Sequence, residues 1–254
     1  MLIATSAFAS NDVTLHAGGA FDLLTSKTPE SVVYEVFDNA KTSFNGFGFD
    51  VGVDFDLSSN LQFYIDFSKP FPSTITIGDV TTSRKEHQEF LEAALATLDA
   101  HFDKPDGKVL FSTFAVHVGF ARRIPFEGSP LDLSVGGGFG IEQGSVGFKA
   151  SAVKEDEEGK KSYIYFTQYQ SYSNVSIDIK VGACYYFGNR FAVYGILTPG
   201  LTFFNINKQY YHGNLDNSNP EGVTYEDSIK PSSQNTGFSL GFNLGVRLGV
   251  SYTF

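Results

Sequence analysis

Residues 237–254 read GFSLGFNLGVRLGVSYTF. The even positions are Phe238, Leu240, Phe242, Leu244, Val246, Leu248, Val250, Tyr252 and Phe254. The odd positions are Gly237, Ser239, Gly241, Asn243, Gly245, Arg247, Gly249, Ser251 and Thr253. Apolar residues on one parity and small or polar residues on the other make a two-residue period, the period of a strand. At about 3.3 Å per residue this strand is roughly 60 Å long before tilt.

The same period repeats upstream. It runs through 11–24 (Val13, Leu15, Ala17, Phe21, Leu23) and 44–57 (Phe47, Phe49, Val51, Val53, Phe55, Leu57). It continues through 61–68 (Leu61, Phe63, Ile65, Phe67), 109–123 (Phe114, Val116, Val118, Phe120) and 131–149 (Leu131, Leu133, Val135, Phe139, Ile141). It returns in 163–187 (Val175, Ile177, Ile179, Val181, Tyr185, Phe187) and, less cleanly, in 191–204 (Phe191, Val193, Leu197, Leu201, Phe203). With the last stretch these make eight strands. Their connections alternate in length. Residues 58–60, 124–130 and 188–190 are tight, whereas 25–43, 69–108, 150–162 and 205–235 are long. An up-and-down antiparallel barrel places alternate connections at opposite ends, so one end carries turns and the other loops.

Composition narrows the class. The chain has 254 residues, 18 Lys+Arg against 28 Asp+Glu, and a net charge of −10. An acidic chain without a basic run is a poor partner for nucleic acid. Its 26 Phe, 13 Tyr and 26 Gly argue against disorder. The sequence has no apolar run of the roughly 18 residues that a membrane helix needs. A single Cys excludes an intrachain disulfide framework and a Cys-based zinc site. At the start, MLIATSAFAS resembles the end of a signal peptide, with Ala7-Phe8-Ala9 as a small-x-small cleavage site. The expected organisation is 1–9 as residual signal peptide and 10–254 as one barrel domain.

Three features turn the apolar face outward. The polar face is made of Gly, Ser and Asp rather than the Lys and Glu of a soluble coat. The strands exceed the 9–11 residues or so that a bilayer requires. The chain also ends on Phe254, with Tyr252, Val250 and Leu248 on the same face. A final alternating strand closing on a terminal Phe resembles the assembly signal of bacterial outer-membrane proteins. The resemblance assigns that role to Phe242, Val250, Tyr252 and Phe254. The whole mature chain looks like a small outer-membrane barrel of the OmpA-barrel or OmpW type. The resemblance implies the lipid bilayer and the outer-membrane assembly machinery as partners, and the bacterial outer membrane as location. Trp is absent, so the interfacial aromatic girdles are expected from Tyr and Phe, such as Tyr185, Tyr186 and Tyr252.

An apolar-out barrel carries its chemistry in the lumen. The inward set is Asp22, Asp50, Asp54, Asp56, Asp66, Asp132, Glu142 and Asp178, with Lys180, Arg123, Arg247, His16 and His117. Charges in a narrow lumen pair with one another. Asp50, Asp54, Asp66, His117, Asp178, Lys180 and Arg247 are therefore expected to form a polar network, with Arg247 on carboxylates. It reads either as a salt-bridged plug or as a narrow cation-leaning conduit. Pro199 cannot donate to a ladder. With Gly200 it marks a bulge, the end of a pairing, or a lateral opening, the last being what OmpW-type resemblance implies.

The longest connection holds a helix candidate. Ser83-Arg84-Lys85-Glu86 is a capping box, followed at helical spacing by Phe90, Leu91, Ala94, Leu95, Leu98 and Phe102. It reads as a lid packing its apolar stripe on neighbouring loops, as an interfacial helix on the outer leaflet, or as a partner-binding face. His87 and His101 lie on it, too far apart in sequence for a metal pair. Gly136-Gly137-Gly138-Phe139-Gly140 does not fit a dinucleotide fingerprint. The residues between Lys154 and Lys161 read as a solvated loop tip. Tyr163, Tyr165, Phe166, Tyr169 and Tyr172 form an aromatic patch above the membrane. No Ser/His/Asp order stands out, and no catalysis, metal or cofactor is expected. The favoured reading is a monomeric barrel passing a small apolar or zwitterionic solute. A non-transporting barrel whose loops bind a host or envelope ligand is the second reading. A secreted lipocalin-like barrel with its apolar face inward is the third.

Overall fold

Nearly every strand-forming segment alternates, so each finds a partner in its sequence neighbour, and the chain winds into one antiparallel ring. The computed structural model describes residues 12–27, 41–77, 80–99, 103–155, 161–188, 190–213, 231 and 233–254. In chain order the strands are β1 (Val13–Lys27), β2 (Lys41–Ser58), β3 (Leu61–Ile77) and the short β4 (Val80–Ser83). Helix α1 (Arg84–Asp99) follows, then β5 (Asp103–Pro125), β6 (Leu131–Glu155), β7 (Lys161–Phe187), β8 (Phe191–Gly213) and β9 (Ser233–Thr253). β1 pairs with both β2 and β9, which closes the ring. β4 adds only to the top of β3, so the barrel has eight strands. The expected signal peptide, 1–9, lies outside the described residues, as do His101 and the tip 156–160.

The tight connections gather at one end. Gly188 (φ 81°) and Gly128 (φ 74°) occupy left-handed conformations there, which side chains with a Cβ resist. At the other end the strands run further than the sequence suggests. β3 continues through Pro70 and Pro72 to Ile77, and β5 already begins at Asp103, so much of 69–108 is strand rather than connection.

The polarity of the wall inverts with height. Near the turn end the outer face is apolar: Phe47 is 76% exposed, Ile177 55% and Leu248 66%, and the belt continues around the ring. On β7 it extends from Ile177 to Phe187, roughly 25 Å after tilt. The inner face at that height is charged. Above the belt the pattern reverses. The inner face there carries the buried cluster Leu24, Phe44, Phe111, Val146 and Tyr172, while Lys108 is exposed on the outer face and Lys149 and Lys208 are partly exposed there. The lower half is built for lipid outside, and the upper half for water outside.

Helix α1 uses that upper inner face. Its start is a reciprocal cap: the Ser83 amide donates to Glu86 Oε2 at 2.6 Å, and the Glu86 amide donates to Ser83 Oγ at 3.2 Å. Leu91 is 2% exposed and packs with Leu95 on Phe148, Ala150, Ala152 and Val109. The His87 ring lies 5.4 Å from that of Phe111. The helix therefore leans on the inner wall of β5 and β6 rather than on loops.

Candidate functional site: a charged floor beneath an apolar inner cluster

The two-residue period sends Asp50, Asp54, Asp66, Asp178, Lys180, His16, His117 and Arg247 into one lumen, and the lower half draws them together. Lys180 Nζ lies 3.3 Å from Asp54 and 3.1 Å from Asp66, and 4.1 Å from the ring centroid of Tyr64. His16 Nε2 is 3.0 Å from Asp66 Oδ1, and its Nδ1 is 3.6 Å from Asp54. Tyr194 donates its hydroxyl to Asp50 at 2.9 Å. Arg247 has no exposed surface. It donates to Thr198 Oγ1 at 2.6 Å, and its Nη2 lies 3.6 Å from Asp22 Oδ1.

A second group stands higher. His117 Nδ1 is 2.7 Å from Asp178 Oδ2. Asn243 donates to Asp178 Oδ1 at 3.0 Å and to Glu142 Oε1 at 3.2 Å. Ser176 donates to Asp178 at 2.9 Å. The serine thus bonds to the carboxylate and not to the imidazole, which is not the order of an acyl-transfer triad. Glycines make room for these groups: a Cβ at Gly200 would collide with Asp178 and Asn243, and one at Gly52 with His16. Near the turn end, Arg123 pairs with Asp132 and, at 3.8 Å, with Asp56.

This floor leaves little space. A cavity of about 30 Å³ below it touches His16, Asp54, Arg123 and Cys184, room for about two waters. His16, Asp54 and Asp66 bring donor atoms within 4.8 Å of one another, the set best suited to a metal among the described residues. Lys180 already presents its ammonium to both of those carboxylates.

Two aromatic positions differ from their sequence reading. Tyr172 is buried and stacks on Phe44 at 4.6 Å instead of joining an exposed patch. Tyr186 lies under Arg123, 5.3 Å from its guanidinium, instead of in the girdle. The turn-end girdle is Tyr185, Phe187, Phe191, Tyr252 and Phe254, with rings in edge contact at 4.7–5.1 Å. Phe242 and Val250 are exposed on the same outer face. Of the Tyr patch above the belt, Tyr169 stacks on Tyr210 at 4.2 Å under Lys149. Burial first, and Tyr210 second, push Tyr169 up to about 12, while burial and Lys108 hold Lys149 below the usual lysine range.

The wall has two breaks. At Pro199 the β7–β8 ladder skips from Asp178↔Gly200 to Val181↔Leu197, while the β8–β9 ladder runs on through Pro199↔Leu244. The longer break is one the sequence reading missed. β3 and β5 pair only from Leu61↔Arg122 to Ser68↔Ala115, although both strands continue well beyond. Pro70 and Pro72 stand just above that last pair, and neither has an N–H to offer a neighbour. β3 keeps its pairing with β2 through both prolines, at Gly48↔Pro70 and Gly46↔Pro72. Outside the gap, Lys69 Nζ donates to Ser112 Oγ, and Phe67 stacks near Phe114 at 6.2 Å.

No protein-family model matches the sequence, and no curated protein is significantly similar to it. Among solved structures the chain is similar to the outer membrane protein OprG from Pseudomonas aeruginosa, at 8% identity over 96% of each chain, with a TM-score of 0.47. It is also similar to outer membrane protein AlkL in lipid bilayers, at 12% identity over 100% of this chain and 95% of that one, with a TM-score of 0.45. Ail, the attachment invasion locus protein of Yersinia pestis, solved with the heparin analogue sucrose octasulfate, shares 9% identity over 97% of this chain and 100% of its own, with a TM-score of 0.39. The membrane assignment stands on the chain itself. An apolar outer belt of bilayer height, a turn-end girdle, a charged lumen and turns confined to one end make it an eight-stranded barrel of the outer-membrane type.

Proposed function

We propose that the barrel passes small apolar solutes, entering from the loop end and leaving sideways into the bilayer through the seam between β3 and β5. The observation that carries this is the early end of the ladder at Ser68↔Ala115, with Pro70 and Pro72 directly above it. Straight passage is obstructed. Arg247, Tyr64, Asp50, Asp66 and Asp178 are at most 1% exposed and fill the floor, and an apolar solute gains nothing by displacing paired charges. Above the floor the inner face is apolar, and Leu24, Phe44, Phe111, Val146 and Tyr172 pack together there, so these side chains part to admit a solute. The seam opens at the height of Phe47 and Phe49 on β2, which face lipid. A solute lodged above the floor would thus be beside hydrocarbon without crossing the charged layer. Sequence alone suggested Pro199 and Gly200 for such an opening. The seam at Pro70 is the stronger candidate because the β3–β5 ladder is open from Lys69 up to Thr74, where β4 joins β3.

A cross-link tests this reading. Lys69→Cys with Ser112→Cys, in a Cys184→Ser background, lets a bismaleimide with a central disulfide span the strands where the Lys69 side chain reaches Ser112. In liposomes the cross-linked barrel is expected to pass a short alkanol several-fold more slowly than the uncross-linked one, with recovery on adding reductant. Equal flux in both states would refute the seam route.

A further inference from the structure

A small cavity of about 10 Å³ lies beside the seam. That holds about one water, or a group of that size. Its walls include Leu24, Phe44, Tyr172, Pro70 and Pro72, and two carboxylates, Asp22 and Glu142, enter it. The register explains their position. Glu142 pairs with Ala115, the last β5 residue bonded to β3, so its side chain stands at the lower lip of the seam. Asp22 pairs with Gly46, and Gly46 with Pro72, so only a missing side chain separates Asp22 from the prolines.

Both carboxylates are half used. Glu142 is 7% exposed. Its Oε1 accepts from Asn243, while its Oε2 is buried and has no hydrogen-bond partner among the described residues. Asp22 Oδ1 faces Arg247, and its buried Oδ2 is likewise unpartnered there. Arg247 reaches Asp22 Oδ1 and Thr198, and His117 is bonded to Asp178, while Arg247 Nε and Nη2 and His117 Nε2 are themselves buried without a hydrogen-bond partner among the described residues. A buried carboxylate oxygen without a donor is costly, and two flanking a water-sized, aromatic-walled cavity match a compact multivalent donor. A primary ammonium is that size and carries three N–H donors.

We propose that this cavity seats the ammonium head of a primary alkylamine whose alkyl tail leaves through the seam beside Pro70 and Pro72. The proposal deepens the passage reading and rests on it for the route by which the ligand arrives. Asp22 Oδ2 and Glu142 Oε2 accept from the head group, and the tail lies against Pro70 and Phe67 toward lipid.

Calorimetric titration of the detergent-folded barrel, with empty micelles as blank, tests the head-group preference. n-Hexylammonium at pH 7 is expected to bind at least about tenfold more tightly than n-hexanol, the margin of charge-assisted hydrogen bonds, and hexanoate more weakly than either. Glu142→Gln is expected to reduce hexylammonium affinity about tenfold and leave hexanol unchanged. Asp22→Asn carries the same comparison if the first variant does not fold. Equal affinity for hexylammonium and hexanol, or no loss in a folded variant, would overturn the ammonium seat while leaving solute flux through the seam intact. Conversely, flux indifferent to the cross-link removes the route without touching a measured head-group preference.

Discussion

Arg247 is the residue on which the floor turns. It is fully enclosed, and its guanidinium reaches Asp22 on one side and Thr198 on the other. Breaking a buried pair from one side leaves the other charge uncompensated, at about 3–5 kcal/mol. Arg247→Ala is accordingly expected to lower the urea midpoint of the lipid-folded barrel by that free energy, with an unchanged denaturant slope. An unchanged midpoint would separate the floor from stability. At this scale the sequence was readable by parity. Asp50, Asp54 and Asp66 on β2 and β3, and Asp178 and Lys180 on β7, alternate with lipid-facing residues, and all turn inward. The two misread tyrosines obey the same rule. Tyr172 and Tyr186 share the even parity of Asp178 and Lys180, but their chemistry suggested a surface patch and a girdle. What parity does not reveal is which inward groups meet. The Asp178–His117 and Lys180–Asp54 pairs join residues 61 and 126 positions apart, and only ring closure brings them together.

Among the elements, α1 shows how a local signal can be complete while its partner stays hidden. The capping box and the start at Arg84 follow from four residues. Replacing Ser83 with Ala removes one side of that cap, worth about 1 kcal/mol. The first-turn amides of α1 should exchange with solvent about fivefold faster, measured by hydrogen exchange, while the barrel strands keep their protection. Unaltered exchange would mean that packing of Leu91 alone holds the helix. The docking face was invisible because it depends on the polarity inversion of β5 and β6. Their inward residues are His117 and Glu142 within the membrane and Phe111, Phe148, Ala150 and Ala152 above it. The extent of β3 was misread in the opposite sense. The strand expected over 61–68 in fact runs on past Pro70 and Pro72, because only one of its two neighbours needs their missing donors.

For the molecule as a whole, the closed ring leaves the lipid-facing belt, among the described residues, paired except at the β3–β5 seam and the short break at Pro199. Such a barrel resists detergent denaturation until heated, since its backbone groups have no lower-energy partner in a micelle. Unboiled protein should therefore migrate differently from boiled protein in denaturing gel electrophoresis and show a strand-rich circular dichroism spectrum. A chain that instead folds in plain buffer would require the belt to be covered by something other than lipid. The inversion explains why a lipocalin-like barrel was a coherent alternative from sequence. Above the bilayer the wall does have an apolar interior, with Phe44, Phe111 and Tyr172 inside.

The first and last strands meet at the turn end, where the Phe254 amide donates to the Val13 carbonyl at 3.0 Å. Apart from the short β4 and helix α1 between β3 and β5, every other barrel ladder joins strands that follow one another along the chain, and only β1–β9 joins the first to the last. The barrel is in effect a hoop with a single nick. Splicing Phe254 to Val13 through a short linker and reopening the chain at another tight turn would make a circular permutant with the same walls, floor and seam, but with a different strand last. That permutant would separate two roles that the native order superimposes on β9, the strand that closes the ring and the strand that ends in Phe254.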